Sequence, residues 1–505
     1  MKKAIPIIIF LLTCLRIYLT CNIPLYINPN MRYDDVLMIE QASSLNDGKY
    51  LGEYNSNTLT KGIIYPLFIS ICYKSGIPYN LGLTCLFIAS LLYFINSIKK
   101  KYSKNKLYII YLVLLFNPIS FGFYSFQKLY RNALCPSLVL IFVATFFKLL
   151  DTKKWYYALL LGLVYFISFH TRQDSIWMLS GILLLIVYLL KNKRILETIL
   201  IPIVIVFLNI TISLINYNYY GIYTHNELEK SEFKNTFLTF MSIDNKDSEY
   251  QISKKAFEIA AKNSKTFNKI YDDLDKKEFY NSWTYINDER GKQINNGFLI
   301  WAYKSIFDEL NLKNATEYEE LYKKIRLELL DANLKTRFII NNPFIHPPKL
   351  SYIPKTLNSF IKANLHIISF KNIETKLPNT NGNISIIEET RRLTNSDIIN
   401  NKCLDLECKR TYKDYKFSYI LLNNITNIYK LLNPIIFILF LYNLIKKKIN
   451  YKQFILIIMY LVLVLGVSYT DAYYIDCITD LYLVSAYVLL IVIEYLTIFK
   501  KNINL

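Results

Sequence analysis

The sequence predicts an all-α polytopic membrane protein, with about ten transmembrane helices and a mostly helical external domain. Three observations support this fold class. The chain has 505 residues, 53% of them hydrophobic, and many of these fall in apolar runs of about 18 or more residues, which a soluble domain does not need. Basic residues gather in short clusters at the ends of these runs. One polar stretch, 216–416, separates the seventh run from the eighth.

The first predicted span covers 4–21. Its charged start and its length also fit a signal peptide. However, no small-x-small cleavage site follows and Arg16 interrupts it, so we interpret it as an uncleaved anchor in which Arg16 has a structural role. The segment 62–74 is too short to cross with a partner helix and is predicted to lie at the membrane interface. The other spans are predicted at 77–98, 107–126, 134–150, 155–169, 176–190, 195–215, 417–445, 454–469 and 478–499.

The basic clusters indicate the orientation, because Lys and Arg in short loops are kept on the cytoplasmic side. If the spans alternate, all six clusters fall on the side of the N-terminus. We therefore expect an integral plasma-membrane protein with both termini in the cytoplasm. The clusters also account for much of the net charge of +20, so no nucleic-acid partner is expected. They lie at 2–3, 99–106, 153–154, 191–194, 446–448 and 500–501.

This orientation divides the chain into three parts. Residues 1–215 form an N-terminal transmembrane region, and its first external loop, 22–61, is expected to be catalytic. Residues 216–416 form the external domain, in which amphipathic patterns such as that at 297–307 predict helices. Residues 417–505 form the C-terminal transmembrane helices.

Charged side chains at the external ends of the spans are the candidates for chemistry, because charge at membrane depth is costly unless it is paired or functional. A lipid-phosphate sugar donor needs both signs of charge. Basic groups bind the phosphate and stabilise the charge that develops on it, and a carboxylate deprotonates the acceptor. The candidates are Asp34 and Asp35 for catalysis, Lys61, Lys128, Arg131 and Arg172 for the donor phosphate, and Asp174 and Tyr65 in supporting roles.

Each charged residue also has an interpretation without chemistry. Asp34 suits the N-cap of a short helix that begins at the next residue. Arg172 and Asp174 suit an ion pair that closes a tight hairpin. Lys128 and Arg131 suit anchors in the headgroup region.

The chain resembles the GT-C superfamily of integral membrane glycosyltransferases, which includes protein O-mannosyltransferases and the aminoarabinose transferases of lipid A. That family has an acidic pair in its first external loop, where this chain has Asp34 and Asp35. The stretch Lys-Gly-Ile-Ile-Tyr-Pro at 61–66 is similar to the family's Lys-Gly-Pro-x-Tyr-Pro. Tyr-Arg-Asn-Ala-Leu-Cys-Pro at 130–136 and Arg-Gln-Asp-Ser-Ile-Trp at 172–177 look like two motifs of a bacterial subgroup.

The resemblance implies transfer of a sugar from a polyprenyl-phosphate-linked donor to a glycan, lipid or protein acceptor on the external face. By analogy Asp34 is the base and Asp35 orients substrate or lysine, although the family's usual second residue is Glu, which leaves the choice between them open. Relatives differ in their use of a divalent metal, so a metal is possible and no other cofactor is implied.

Two other classes of function fit parts of the sequence. A ligase, polymerase or flippase of surface polysaccharide assembly also has many helices and external basic residues, although a flippase is expected to hold its charges at mid-membrane depth. A receptor or scaffold would use the polar stretch for binding, but it leaves the acidic pair and the arginines unexplained.

Overall fold

The computed structural model describes residues 4–244, 251–276, 283, 286–288, 291–308, 310, 312, 314–337, 350–400, 406–446, 449–473 and 477–500. The N-terminal helices in chain order are α1 (Ala4–Cys21), α2 (Leu37–Asn46), α3 (Ile64–Lys74), α4 (Tyr79–Ile98), α5 (Lys104–Leu115), α6 (Cys135–Thr152), α7 (Tyr156–Thr171), α8 (Met178–Lys191) and α9 (Ile195–Tyr220). Turns of π-helix or 3₁₀-helix lie between them at Arg32–Val36, Pro118–Ser120, Phe123–Gln127, Arg131–Leu134 and Gln173–Trp177.

The second half of the chain is also mainly helical. Its helices are α10 (Glu232–Ser242), α11 (Lys254–Asn263), α12 (Lys265–Lys276), α13 (Asn296–Asp308), α14 (Ala315–Asp331), α15 (Ile353–Ile368), α16 (Ile384–Thr394), α17 (Leu406–Lys446), α18 (Tyr451–Tyr473) and α19 (Asp480–Ile498). A 3₁₀ turn at Leu350–Tyr352 precedes α15. Three short antiparallel strands, in the order β1-β3-β2, make a small sheet: β1 (Gln251–Ser253), β2 (Ile286–Asp288) and β3 (Gly291–Asn295).

Within the described residues, eight helical segments are long and apolar enough to cross a membrane, or nine if one bent pair is a single span. The fold is therefore that of a helical, integral membrane protein, as the sequence predicts. The predicted count of about ten is not reached by this measure, because α7 has only 16 residues and the span expected at 107–126 is interrupted. α6 and α19 lie at the centre of the bundle, where 83% of each apolar window is buried.

The interruption at 107–126 has a local cause. α5 ends at Leu115, and the turns that follow at 118–127 are inclined to it by 51°. Pro118 disfavours helical geometry at the residue before it. That residue, Asn117, is extended and its side chain accepts a hydrogen bond from the Ile119 N–H, so it starts a new turn instead of continuing α5.

Arg16 of α1 compensates for this break. Its Nε donates to the Leu115 carbonyl at 3.1 Å, and its Nη2 donates to the Ser120 carbonyl at 2.8 Å. The side chain is fully buried, and its guanidinium lies 5.0 Å from the centre of the Phe121 ring. Arg16 thus has the structural role expected of it, since it satisfies carbonyls that a broken helix leaves free.

The polar stretch contributes to two different parts of the fold. Helices α10 to α14 enclose an apolar core of their own, in which Phe233, Phe240 and Tyr303 are buried. By contrast, α15 packs along α18 and α19, and α16 packs on α2 and α3. The part of the stretch after residue 350 is therefore attached directly to the helical bundle.

Candidate functional site

The acidic pair lies in one turn of π-helix, Arg32–Val36, that leads into α2. The two carboxylates have different environments. The Asp34 side chain is 36% exposed, whereas the Asp35 side chain is completely buried. Asp34 lies inside this turn and α2 begins only at Leu37, so the interpretation of Asp34 as the N-cap of a helix that begins at Asp35 is wrong.

Asp34 is held by two residues from later in the chain. Its Oδ1 forms an ion pair with Lys61 Nζ and accepts a hydrogen bond from the Tyr130 hydroxyl at 3.1 Å. Burial holds the pKa of Lys61 well below the usual lysine range, and the nearby guanidinium of Arg131 lowers it further. A lysine that is buried in this way binds an anion only while it keeps its proton.

The position of Lys61 depends on the glycine that follows it. A Cβ at Gly62 would overlap the backbone carbonyl of His170, at the end of α7. Only glycine lets the chain cross α7 so closely. Glycine is therefore required at position 62 for packing, and this close approach to α7 places the Lys61 ammonium beside Asp34.

Asp35 is anchored beneath the surface. Its Oδ2 accepts a hydrogen bond from the Asn28 N–H at 2.8 Å, and its Oδ1 lies 3.5 Å from Lys128 Nζ. Burial raises the pKa of Asp35, and the ammonium of Lys128 partly offsets that shift. This carboxylate therefore fixes the loop and Lys128.

Tyr130 lies at the centre of the basic residues. Its hydroxyl accepts a hydrogen bond from Arg131 Nη2 at 3.2 Å, and its ring is 5.3 to 5.7 Å from the cationic groups of Lys61, Lys128 and Arg131. Burial alone would raise the pKa of the Tyr130 phenol, but the guanidiniums of Arg131 and Arg172 outweigh it and lower that pKa. Sequence reasoning did not assign Tyr130 a role, although it directly precedes Arg131.

Arg131 is mostly enclosed as well. Its Nη1 donates to Gln173 Oε1 at 3.2 Å. Its Nε is buried and has no hydrogen-bond partner among the described residues. Since Arg131 is buried and Lys128 contacts Asp35, the interpretation of both as headgroup anchors is not supported.

Arg172 pairs with Asp174 through its Nε, at 3.0 Å from Oδ1, and also contacts the Asn132 side chain. Its Nη1 donates to the Leu481 carbonyl at 2.7 Å, which connects this hairpin to the first turn of α19. Burial would lower the pKa of Arg172, but Asp174, Cys135 and Tyr130 together outweigh burial and raise it. The ion pair that was one interpretation of Arg172 and Asp174 is present, and Arg172 also ties α19 to the site.

Tyr65 is the one candidate that lies in the apolar core. It is fully buried in α3, and its hydroxyl is 2.8 Å from that of Tyr79 in α4. No contact joins it to the basic residues in the described part of the chain. Its position supports the packing of the loop against the bundle.

The polar stretch supplies residues that sequence reasoning did not connect with the site. Trp301 of α13 lies 5.8 Å from the ring of Tyr33 and 5.1 Å from Lys61 Nζ. Three residues further on, Lys304 binds the Ser56 carbonyl in the first loop. The only sequence signal is the amphipathic pattern at 297–307, which predicts a helix but not the surface that it contacts.

A divalent metal has no evident ligand set here. Among the described residues, no three His, Cys, Asp or Glu side chains are placed to hold an ion together. The two carboxylates of the acidic pair face different lysines, Lys61 and Lys128. These residues do not fit a metal bound between the aspartates.

Comparison with known proteins gives no relative. No protein-family model, curated protein or solved structure matches the chain. The site must therefore be interpreted from its own geometry.

Proposed function

We propose that the protein is a membrane glycosyltransferase, which moves a sugar from a polyprenyl-phosphate-linked donor to an acceptor at the membrane surface. The observation that carries this proposal is the meeting of an accessible carboxylate, Asp34, with four basic residues at one end of an apolar helix bundle. We call this end the site end; its basic residues are Lys61, Lys128, Arg131 and Arg172. A polyprenyl tail would lie among the apolar helices while its phosphate meets these cations.

The proposed orientation puts the site end outside the cytoplasm. The basic clusters described above flank the opposite ends of the spans, as the positive-inside rule requires of cytoplasmic loops. Both termini are then cytoplasmic, and α10 to α14 are external. A donor delivered in the membrane supplies the activated sugar on that face.

The basic residues would stabilise the leaving phosphate. Arg131 is the best placed of them, since its buried Nε has no acceptor among the described residues. Lys61 and Lys128 add positive charge beside Tyr130. Donors that are fixed in place and shielded from water stabilise developing charge more than solvent does.

Asp34 is the proposed base. It takes the proton from an acceptor hydroxyl or amine as that atom bonds to the anomeric carbon, and the bond to the phosphate oxygen breaks with its electron pair left on the phosphate. Attack from the side opposite the phosphate inverts the anomeric carbon. Asp35 has no exposed surface and instead positions Lys128. The difference in exposure thus favours Asp34 over Asp35 for contact with substrate.

The test is sugar transfer by Asp34→Asn. Loss of a general base costs about 10²–10⁴-fold in rate. We expect transfer in membrane vesicles to fall by about that much, with the amount and the elution volume of the purified protein unchanged. Asp47→Asn, an exposed residue just after α2, is the matched control and should transfer normally. Normal sugar incorporation by Asp34→Asn would refute the assignment.

The lipid that accumulates in cells lacking the gene separates this proposal from its main alternative. Thin-layer analysis of radiolabelled polyprenyl-phosphate sugars should show a carrier with one sugar. A carrier with a long oligosaccharide would instead indicate a ligase or polymerase of surface polysaccharide.

A further inference from the structure

The segment 350–376 runs along α18 away from the site end and then returns toward that end along α17. Tyr352 packs on Tyr473, the last residue of α18, with their ring centres 4.2 Å apart. Twelve residues later in α15, Asn364 accepts a hydrogen bond from the hydroxyl of Tyr460 at 2.8 Å. Tyr460 lies thirteen residues before Tyr473, so α15 runs antiparallel to α18 and advances along it at nearly the same rate.

This register sets the depth that α15 reaches. A helix rises about 1.5 Å per residue, so twelve residues take it roughly 18 Å along α18. α18 is one of the segments that can cross a membrane, and the hydrocarbon core of a bilayer is about 30 Å thick. The C-terminal end of α15 therefore lies past the middle of the span.

The chain then returns beside α17. Asn433 donates to the Ile368 carbonyl at 3.0 Å, at the end of α15. Seven residues later Thr375 exchanges two hydrogen bonds of 2.9 Å with the Asn423 side chain. Asn423 is ten residues nearer the site end than Asn433, so the returning chain climbs about 15 Å.

The returning chain meets the requirement that non-helical backbone at membrane depth be enclosed in protein and hydrogen-bonded. Phe370, Ile373 and Thr375 are each 1% exposed. The Gln127 side chain donates to the Lys376 carbonyl and accepts from the Lys376 N–H, both at 2.8 Å. The side chains of Gln127, in the turn after α5, and Asn423, in α17, thus supply hydrogen bonds to the backbone of this segment.

The opposite side of α15 carries an apolar stripe. Four large aliphatic residues, spaced four apart, are each more than half exposed: Ile353, Leu357, Ile361 and Leu365. Lys362 borders this stripe and is also exposed. Side chains on a helix lean toward its N-terminus, and here that is the site end, so the long stem of Lys362 can carry its ammonium toward the headgroups.

We propose that residues 350–376 form a re-entrant hairpin, which enters the bilayer from the site end and returns to it, with the stripe of α15 in contact with the hydrocarbon chains of membrane lipids. The depth of α15 decides in favour of lipid, since hydrocarbon is what surrounds an outward-facing side chain at mid-span. This inference concerns the bilayer contact of a segment in the polar stretch and does not depend on the proposed function.

Fluorescence quenching by brominated lipids tests the hairpin. Ile361→Trp and Leu365→Trp are made in the full chain, purified and placed in vesicles of phosphatidylcholine with bromine either near the headgroup or deep in the acyl chains. The fluorescence that Ile361→Trp and Leu365→Trp add to that of the unaltered protein should be quenched most by bromine deep in the acyl chains. The fluorescence that Ile353→Trp adds should be quenched most by bromine near the headgroup.

Leu327→Trp is the matched control. Leu327 is a half-exposed leucine of α14, outside the bundle, and the fluorescence that it adds should be insensitive to bromine at either depth. If one deep variant does not fold, Leu357→Trp is made beside the other; it lies between Ile353 and Ile361 in depth, and its added fluorescence should be quenched by bromine at both depths. Added fluorescence at 361 and 365 that no brominated lipid quenches would overturn the proposal, whether water, another protein or a second copy of the chain covers the stripe.

Discussion

Lys304 Nζ lies 2.5 Å from Glu227 Oε2, and neither side chain is exposed to solvent. The same ammonium binds the carbonyl of Ser56, and the Tyr54 hydroxyl binds the other carboxylate oxygen of Glu227. Three separate parts of the chain meet in this cluster: the first loop, the segment after α9, and α13. It fixes the helix that carries Trp301 against the loop that carries Asp34.

Removal of one member of this ion pair should destabilise the fold more than removal of both. Lys304→Met leaves Glu227 buried without its cation, and loss of one partner of a buried pair costs about 3–5 kcal/mol. We expect the free energy of unfolding of Lys304→Met to fall by about that much, and that of Lys304→Met with Glu227→Gln to recover in part. Tryptophan fluorescence during chemical unfolding measures both. An equal loss of free energy of unfolding in the single and the double variant would show that Lys304 and Glu227 do not act as a buried ion pair.

Gly62→Ala should reduce activity by moving Lys61. The added methyl group would overlap the His170 carbonyl, so the chain must shift at the residue beside Lys61. Contacts that hold a reacting group lose about 10²-fold when they are misplaced by roughly 1 Å. Gly466→Ala, in α18, is the control because no atom lies within 4 Å of its added Cβ. If both variants transfer sugar equally well, the close approach at Gly62 does not set the position of Lys61.

The proposed donor binding should weaken as the pH rises. Because the pKa of Lys61 is lowered, its ammonium loses the proton at a lower pH than an ordinary lysine does, and attraction for phosphate is lost above that pH. Lys61→Arg keeps its charge, since a guanidinium stays protonated. The alkaline limit of kcat/KM should therefore move to higher pH in Lys61→Arg. An unmoved limit would show that another group causes the decline.

Arg16→Met should lower the thermal stability of the bundle. The carbonyls of Leu115 and Ser120 would then be buried without their donor, and each unsatisfied group costs about 1–3 kcal/mol. Phe10→Met, at an exposed position of the same helix, should leave the unfolding temperature unchanged. The unfolding temperatures of Arg16→Met and Phe10→Met are compared in detergent, with size-exclusion chromatography as the measure of the protein that remains folded after heating. A similar unfolding temperature for both would remove the structural role of Arg16.

Much of the fold follows from the sequence because long apolar runs in a bilayer must be helical. The helices predicted near 77–98 and 195–215 are present as α4 and α9. The interruption after Leu115 was not predicted, although Pro118 is a local signal for it. The path of 350–376 could not be predicted, since it depends on contacts with α17 and α18, which follow it in the chain.

The site was predictable in part. Its charges lie at the ends of spans, and the topology brings Asp34, Lys61 and Arg131 to the same end. Which lysine each aspartate contacts, however, depends on distances that the sequence does not contain. Asp34 and Asp35 are identical neighbours in the sequence, whereas in the structure Asp34 is accessible and Asp35 is buried. Trp301 contacts the first loop because α10 to α14 share one apolar core that holds α13 against that loop.

The break in α5 also has a consequence for how the protein is made. Arg16 is synthesised 99 and 104 residues before the two carbonyls that it binds. At roughly 5–20 residues per second, they leave the ribosome about 5–20 s later. Until then an unpartnered guanidinium inside an apolar span opposes insertion, by at most about the 2.5–3.5 kcal/mol that such a charge costs at the centre of a span. Arg16 therefore gains its partners only when the broken helix arrives, so the final placement of α1 is tied to the arrival of α5 and the turns that follow it.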